Sequence, residues 1–134
     1  MTSDPLVISP AIRDEIVAYA RDHAPRECCG VIAGQDGAAT QPHRLTNLEP
    51  GVSRYLFDDE EFFRVYWEME NRGESLLAVY HSHPVTVAWP SKTDVEFAFW
   101  PEAVYLICSL QVPEDPVFRG FRIVDGEISE VELG

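Results

Sequence analysis

The 134-residue chain is 46% hydrophobic and 25% charged, a composition typical of one folded domain and not of a disordered or fibrous protein. The 23 acidic residues outnumber the 10 basic ones, and the resulting net charge of −13 repels phosphate backbones and anionic membranes. No segment has the pattern of a signal peptide or a membrane span, so we expect one cytoplasmic domain, residues 1–134, with no nucleic-acid or membrane partner.

A first helix is predicted over Pro10–His23, because Ser9 and Pro10 form an N-cap and first-turn signal and apolar residues then recur at helical spacing. Pro25 ends this helix. The following signals predict, in chain order, a buried strand at Cys29–Ala33, a turn at Asp36-Gly37 and a less certain strand near Thr40–Leu48.

A second helix is predicted from an N-cap at Asp58 to Gly73, with its apolar positions at Phe62, Val65, Tyr66 and Met69. A short third helix is predicted to start at the S-x-x-D pattern of Ser91 and Asp94. The remaining apolar runs predict strands at Leu76–Tyr80, Ala103–Leu110, Val117–Val124 and Glu127–Leu133, the last two joined by the hairpin turn Asp125-Gly126.

The three cysteines do not form a disulfide framework by pattern, because their number is odd and Cys28 and Cys29 are adjacent. Together with Cys108 they fit a reducing compartment. None lies in a C-x-x-C pair, the commonest structural zinc signature, so any metal ion must be held by other residue types.

The segment His81-Ser82-His83-Pro84 follows directly on the Leu76–Tyr80 strand. Residues two apart on a strand point to the same face, so both imidazoles can meet one ion from one side. Asp94, on the first turn of the next helix, can add an oxygen ligand once the loop folds back. Two histidines and one carboxylate with one open position is an arrangement of catalytic zinc, although a lone H-x-H pair would be weak support.

The sequence H-S-H-P followed by P-S-x-x-D, and preceded by E-C-C-G, resembles the JAMM motif of the JAB1/MPN/Mov34 zinc metallopeptidase family. The resemblance implies an α/β domain with a curved, mixed and mostly antiparallel sheet flanked by helices. It implies zinc bound by His81, His83 and Asp94, and Glu27 as general acid and base. From the residues alone, Glu27 would be interpreted as a solvated surface carboxylate.

Ser91 has two candidate roles, one from the residue pattern and one from the resemblance. As an N-cap it would satisfy a free helix N–H, whereas the resemblance implies that its hydroxyl donates to the oxyanion formed during hydrolysis. One hydroxyl is not expected to serve both roles easily, and the oxyanion role is favoured. Asp94 is expected to support the helix start electrostatically as well as to bind the metal ion.

The chain is most similar to compact bacterial, Mec-type members of the family, and residues Phe57, 65–69 and 78–84 strengthen this placement. Such members are expected to hydrolyse the amide bond after the C-terminal Gly-Gly of a ubiquitin-like or sulfur-carrier protein. A chain of 134 residues has little room for the insertions with which eukaryotic relatives bind ubiquitin. The oligomeric state is left open, as is the strand edge that would receive the substrate tail.

Two alternatives belong to other classes of protein. A zinc deaminase would require H-x-E and a later P-C-x-x-C, and the chain has neither. A noncatalytic MPN-type scaffold would have lost metal ligands, whereas the whole candidate set is present. Cys28 and Cys29 are interpreted as core residues, His23 and His43 as non-ligands, and Trp89 either as a wall of the substrate groove or as a packing residue.

Overall fold

The computed structural model describes residues 5–134. Its three helices are α1 (Pro10–His23), α2 (Asp59–Asn71) and α3 (Lys92–Glu96). Its six strands are β1 (Cys29–Gln35), β2 (Ala38–Leu45), β3 (Ser75–His83), β4 (Val104–Ser109), β5 (Val117–Val124) and β6 (Glu127–Val131). Within residues 5–134, no helix combines the length and the apolar character needed to cross a membrane.

The strands form one sheet in the order β2-β1-β3-β4-β5-β6. Only β3 and β4 are parallel, and the chain between them contains α3; the other four pairs are antiparallel. The expected mixed, mostly antiparallel α/β fold is therefore confirmed. Because β3 and β4 lie in the middle of the sheet, neither offers a free edge to a peptide.

Two tight hairpins have the predicted turn chemistry. Asp36 and Gly37 have φ angles of 53° and 80°, and Asp125 and Gly126 have φ angles of 52° and 81°. Two consecutive positive φ angles are typical of the type I′ turn, which Asp-Gly favours. Since the first turn needs only two residues, β2 starts at Ala38, two residues before the predicted start, and it ends three residues before the predicted Leu48.

The sheet separates two apolar cores. On one face α1 packs through Ile12 and Ile16 against strand residues that include Ile32 and Leu106. The other core contains the alternate residues of the same strands, with Met69 of α2. The central strands β1, β3 and β4 are buried over most of their length because both faces are covered.

Helix α2 departs from the predicted burial pattern. Met69 is buried, and Phe62 and Val65 are partly buried against the second core, as their spacing predicts. Tyr66, for which the same spacing predicts an inward position, is 38% exposed. The prediction for Tyr66 is wrong because residue 66 lies on the next stripe of the helix, beside Phe63 and Trp67, and not on the inward one.

A short N-terminal segment joins the two edges of the sheet. The Leu6 N–H donates to the Glu132 carbonyl (2.9 Å), and the Gly134 N–H donates to the Leu6 carbonyl (2.9 Å). The Ala39 N–H donates to the Val7 carbonyl (3.0 Å) at the opposite edge. Residues 6–7 thus connect β2 to the residues after β6, and the curved sheet is closed by this seam.

Candidate active site and metal centre

The structure brings the three predicted metal ligands together. The strand β3 runs through His83, so His81 and His83 lie on one face of the sheet, on the side of α2. Their Nε2 atoms are 3.1 Å apart. Asp94 Oδ2 lies 3.1 Å from His81 Nε2 and 3.0 Å from His83 Nε2. All three side chains are buried, and they are the only such His, Cys, Asp or Glu group among residues 5–134.

The donor atoms fit a metal ion. The Nδ1 atom of His83 lies 2.8 Å from the Val87 carbonyl oxygen, which can only accept a hydrogen bond. Nδ1 therefore carries a proton, and in the neutral form of the ring the Nε2 atom is left with a lone pair that can bind a cation. Ligand atoms at bond lengths of 2.0–2.1 Å around a tetrahedral zinc ion are separated by about 3.3 Å. The observed triangle is close to that size, and a cation would relieve the repulsion of its lone pairs.

Electrostatics around Asp94 also favour a cation. Burial alone would raise the pKa of Asp94, but the charge and hydrogen bonds of the histidines and the Ser91 N–H hold it far below its usual range. For His83, burial opposes the charged ring, yet Asp94 and the Val87 carbonyl outweigh this effect and raise its pKa. The centre therefore keeps a buried negative charge that attracts a proton or a metal ion.

Register places Glu27 beside the histidines. Cys29 pairs with His81 across β1 and β3, and the Ser82 N–H donates to the Cys28 carbonyl (3.1 Å), so the same pairing puts residue 27 near residue 83 on the same face. Glu27 is 4% exposed, and its Oε1 has no hydrogen-bond partner among residues 5–134. Burial raises its pKa to about 7, even though His81 and His83 act in the opposite direction.

Ser91 and Asp94 form a reciprocal capping box at the start of α3. The Asp94 N–H donates to Ser91 Oγ (3.0 Å), and the Ser91 N–H donates to Asp94 Oδ2 (2.9 Å). The hydroxyl accepts in this contact and keeps its own proton, so it remains able to donate to a substrate oxyanion. The capping role of Ser91 is therefore present, its geometry leaves the hydroxyl proton available, and the oxyanion role stays a prediction.

Three residues that position the candidate site were not predicted from the sequence. The Asn47 amide donates to the Glu27 carbonyl (3.0 Å) and to the Arg54 carbonyl (3.2 Å). The Tyr55 ring stacks on His81 with centroids 4.6 Å apart. Ser82 Oγ accepts from the Cys28 N–H (2.8 Å) on the opposite face of β3. Only Ser82 had a signal, since alternation along the strand places it on the sheet face opposite to the two histidines.

The cysteines and Trp89 contribute packing. Burial raises the pKa of Cys28 to about 11 and that of Cys108 to about 12, and it also raises the pKa of Cys29, so all three are buried thiols at neutral pH. This agrees with their interpretation as core residues. Trp89 lies edge-on against Phe121 (5.1 Å between centroids) but is 45% exposed, so it packs while still facing solvent.

An apolar pocket adjoins the metal centre through Tyr55. The pocket lies between the loop before α2 and the residues after α3, and it is mostly aromatic. Its aromatic walls are Tyr55, Phe57, Phe97, Phe99 and Trp100. The same Tyr55 ring lines the pocket and stacks on His81, so Tyr55 separates a molecule in this pocket from the candidate metal ligand.

The sequence profile of the prokaryotic homologs of the JAB domain matches residues 9–124. The CysO-cysteine peptidase of Mycobacterium tuberculosis (strain ATCC 25618 / H37Rv) is 40% identical over 128 residues, which cover 93% of this chain and 87% of that protein. The desampylase of Haloferax volcanii is 42% identical over 117 residues, which cover 81% of this chain and 84% of that protein.

Solved structures of other proteins share this fold. A protein of Desulfitobacterium hafniense, known from its solution structure, has a TM-score of 0.87 at 32% identity and covers 96% of this chain and 90% of its own. A JAB1/MPN domain protein from Archaeoglobus fulgidus shares the fold at a TM-score of 0.61 and 16% identity, covering 91% of this chain and 93% of its own. The chain therefore belongs to the family of prokaryotic homologs of the JAB domain.

Proposed function

We propose that the protein is a zinc-dependent peptidase that hydrolyses the amide bond after the C-terminal Gly-Gly of a ubiquitin-like or sulfur-carrier protein. The observation that carries this proposal is the buried triangle of His81, His83 and Asp94 beside the buried Glu27. The relatives support the reaction class, because two of them are named as a CysO-cysteine peptidase and a desampylase. We further propose that His81, His83 and Asp94 are the protein ligands of the zinc ion.

Zinc bound at this centre would polarise the substrate carbonyl and lower the pKa of a water molecule toward 7. Glu27 accepts a proton from the attacking water as the new C–O bond forms. It then delivers that proton to the amine nitrogen as the C–N bond breaks, which leaves a carboxylate and a free amine. A pKa of about 7 suits both steps, because the same carboxyl can be deprotonated first and protonated later at neutral pH.

The remaining residues hold this geometry. The Ser91 hydroxyl donates to the oxyanion while its oxygen caps α3. The Val87 carbonyl holds His83 in the tautomer that frees Nε2, and Asn47 fixes the backbone of Glu27 to the loop that carries Tyr55. Each contact orients a group that would otherwise rotate, which is how a preorganised site lowers the barrier.

The other two functions are less well supported. A scaffold without activity has no use for a buried Glu27 whose Oε1 has no hydrogen-bond partner in the described part of the chain, because such burial costs stability. A deaminase would need a cysteine ligand near the histidines, and none of the three cysteines belongs to the metal-binding group among the described residues.

The variant Glu27→Gln tests the proposal. Gln keeps the size of the side chain but cannot accept the proton of water, so we expect the single-turnover rate to fall by about a hundred- to ten-thousand-fold. Zinc content and affinity for the carrier tail should stay unchanged, as measured by metal analysis and calorimetry. A rate within threefold of the wild type would remove Glu27 from the mechanism.

A further inference from the structure

Helix α2 has a second apolar stripe that the fold leaves in solvent. Phe63, Tyr66 and Trp67 follow at i, i+3 and i+4 and are 61%, 38% and 65% exposed. The stripe facing the core is already supplied by Phe62, Val65 and Met69. An amphipathic helix normally presents polar residues on its outer side, and clustered exposed aromatic residues mark protein interfaces. We call Phe63, Tyr66 and Trp67 the aromatic surface.

The aromatic surface is continuous with the candidate active site. Phe63, Tyr66 and Trp100 line a common pocket, and Trp100 also lines the pocket beside Tyr55. Phe62 connects the two, with its ring centroid 5.2 Å from that of Trp100. Aromatic contacts therefore run from the outer side of α2 to the ring stacked on His81. A partner seated on this surface can reach the metal centre with an extended terminus.

Charge identifies the kind of partner. From the N-cap Asp58 to Asn71, the segment contains six acidic residues and one basic residue, Arg64. Glu102 adds a further carboxylate to the wall of the pocket next to the aromatic surface. A second copy of this chain would bring the same net charge of −13, which disfavours self-association. A protein whose apolar patch is bordered by lysine or arginine side chains is complementary in both respects.

We propose that the aromatic surface docks the folded body of the carrier protein, while the Gly-Gly tail extends past Trp100 and Tyr55 to the metal centre. This rests on the proposed function for the cleavage step, and it adds a second contact that the tail alone does not supply. The proposal requires a carrier whose folded body presents an apolar patch bordered by basic side chains. Trp67 and Phe63 are the expected anchors, because large aromatic side chains dominate interface energetics.

The test compares two substrates with the double variant Phe63→Ser/Trp67→Ser. One substrate is a ubiquitin-like carrier from the same genome, joined to cysteine through its Gly-Gly terminus, and the other is a peptide of its last six residues with the same cysteine. For the folded carrier, KM should rise at least tenfold with little change in kcat. For the peptide, kcat/KM should stay within twofold of wild type, which also shows that the variant is folded.

Val124→Ser is the matched control, because Val124 is 43% exposed, lines neither of the two aromatic pockets and should leave both substrates unaffected. Raising the salt concentration should increase KM for the carrier more than KM for the peptide. An equal loss on both substrates, or no loss on either, overturns the proposal. So does a wild-type dimer that the double variant dissociates without any change in KM.

Failure of the proposed function has a different signature. If the wild type cleaves neither substrate, binding of the intact carrier is measured by calorimetry on the wild type and on the double variant. Tenfold weaker binding to the variant upholds the docking surface even though the reaction is wrong. Unchanged binding overturns the docking surface as well.

Discussion

Glu27 has two properties that oppose each other, namely the burial that prepares it for proton transfer and the cost of that burial to stability. Its pKa is about 7 in the folded protein against an ordinary value of 4.5. As the pH rises, Glu27 therefore loses its proton at a lower pH in the unfolded chain than in the folded protein. Above that pH, Glu27 must either bind a proton again on folding or be buried with its negative charge. The contribution of Glu27 to stability thus falls between about pH 4.5 and 7 and stays low above that range.

We therefore predict that Glu27→Gln stabilises the metal-free protein above pH 7, by up to about 3 kcal/mol at about 1.4 kcal/mol per pKa unit. The difference should shrink as the pH falls and vanish well below the ordinary pKa of 4.5, where the wild-type carboxyl is protonated in both states. Urea unfolding of both proteins across this range measures it. Glu114→Gln, at an exposed position, is the control. Equal stability of wild type and Glu27→Gln at pH 8 would contradict the raised pKa of the buried carboxyl.

Asp94 combines a structural role and a proposed ligand role that one substitution can separate. The Asp94→Asn variant keeps a side-chain oxygen that can accept from the Ser91 N–H, so the cap of α3 should survive. The neutral amide is a weaker ligand, and His83→Ala removes a ligand altogether. We expect about one zinc ion per wild-type chain and loss of zinc in both variants, with the fold retained, as measured by metal analysis and circular dichroism.

The exposed Glu96 on the same helix provides the control, and Glu96→Gln should retain full zinc content. Wild-type zinc affinity in Asp94→Asn would mean that another carboxylate is the ligand.

At the scale of elements, β1 lies close to both of its neighbours, β2 and β3, at one glycine. A Cβ added to Gly30 would collide with the His43 carbonyl oxygen and with the Tyr80 ring, both of which are held inside the sheet. Because neither neighbour can move freely, we predict that Gly30→Ala destabilises the fold by about 1–3 kcal/mol or more. Denaturant unfolding measures the loss. Gly51→Ala is the control, since the nearest atom would be 3.8 Å away, and equal effects of the two would contradict the steric argument.

Local signals predicted the elements well where the cause was local. Helix α1 has the predicted bounds, with Ser9 as its N-cap, and both Asp-Gly turns have positive φ angles. The spacing of His81 and His83 predicted a shared face because alternation on a strand is local. The spacing of α2 could not tell which of its two apolar stripes faces the core, and Tyr66 was misplaced for that reason.

Long-range contacts account for what the sequence did not reveal. Asn47 and Tyr55 lie in a loop without periodicity, and their roles depend on Glu27 and His81, which are distant in the chain. Glu27 was identified by resemblance alone, and its position beside the histidines follows from the register of β1 and β3. The catalytic and ligand roles, the single domain and the cytoplasmic location remain predictions.

For the molecule as a whole, the acidic net charge and the aromatic surface act together. The net charge of −13 disfavours acidic partners at a distance, whereas the exposed aromatic residues contribute binding only after contact. The net charge therefore selects partners during the encounter, and the aromatic residues select them during docking. A basic, apolar-patched carrier meets both requirements, and a nucleic acid meets neither.

The seam formed by residues 6–7 also has a consequence for the order in which the chain folds. The two Asp-Gly hairpins join neighbouring residues and close short loops, so they can form early at low entropic cost. Leu6 must instead find Leu133 at the other end of the described chain, which is a contact of very high sequence separation. We expect the seam to form last, after β1–β6 are paired. In hydrogen exchange under native conditions, the Ala39 and Gly134 amides should therefore exchange before the amides of β3 and β4.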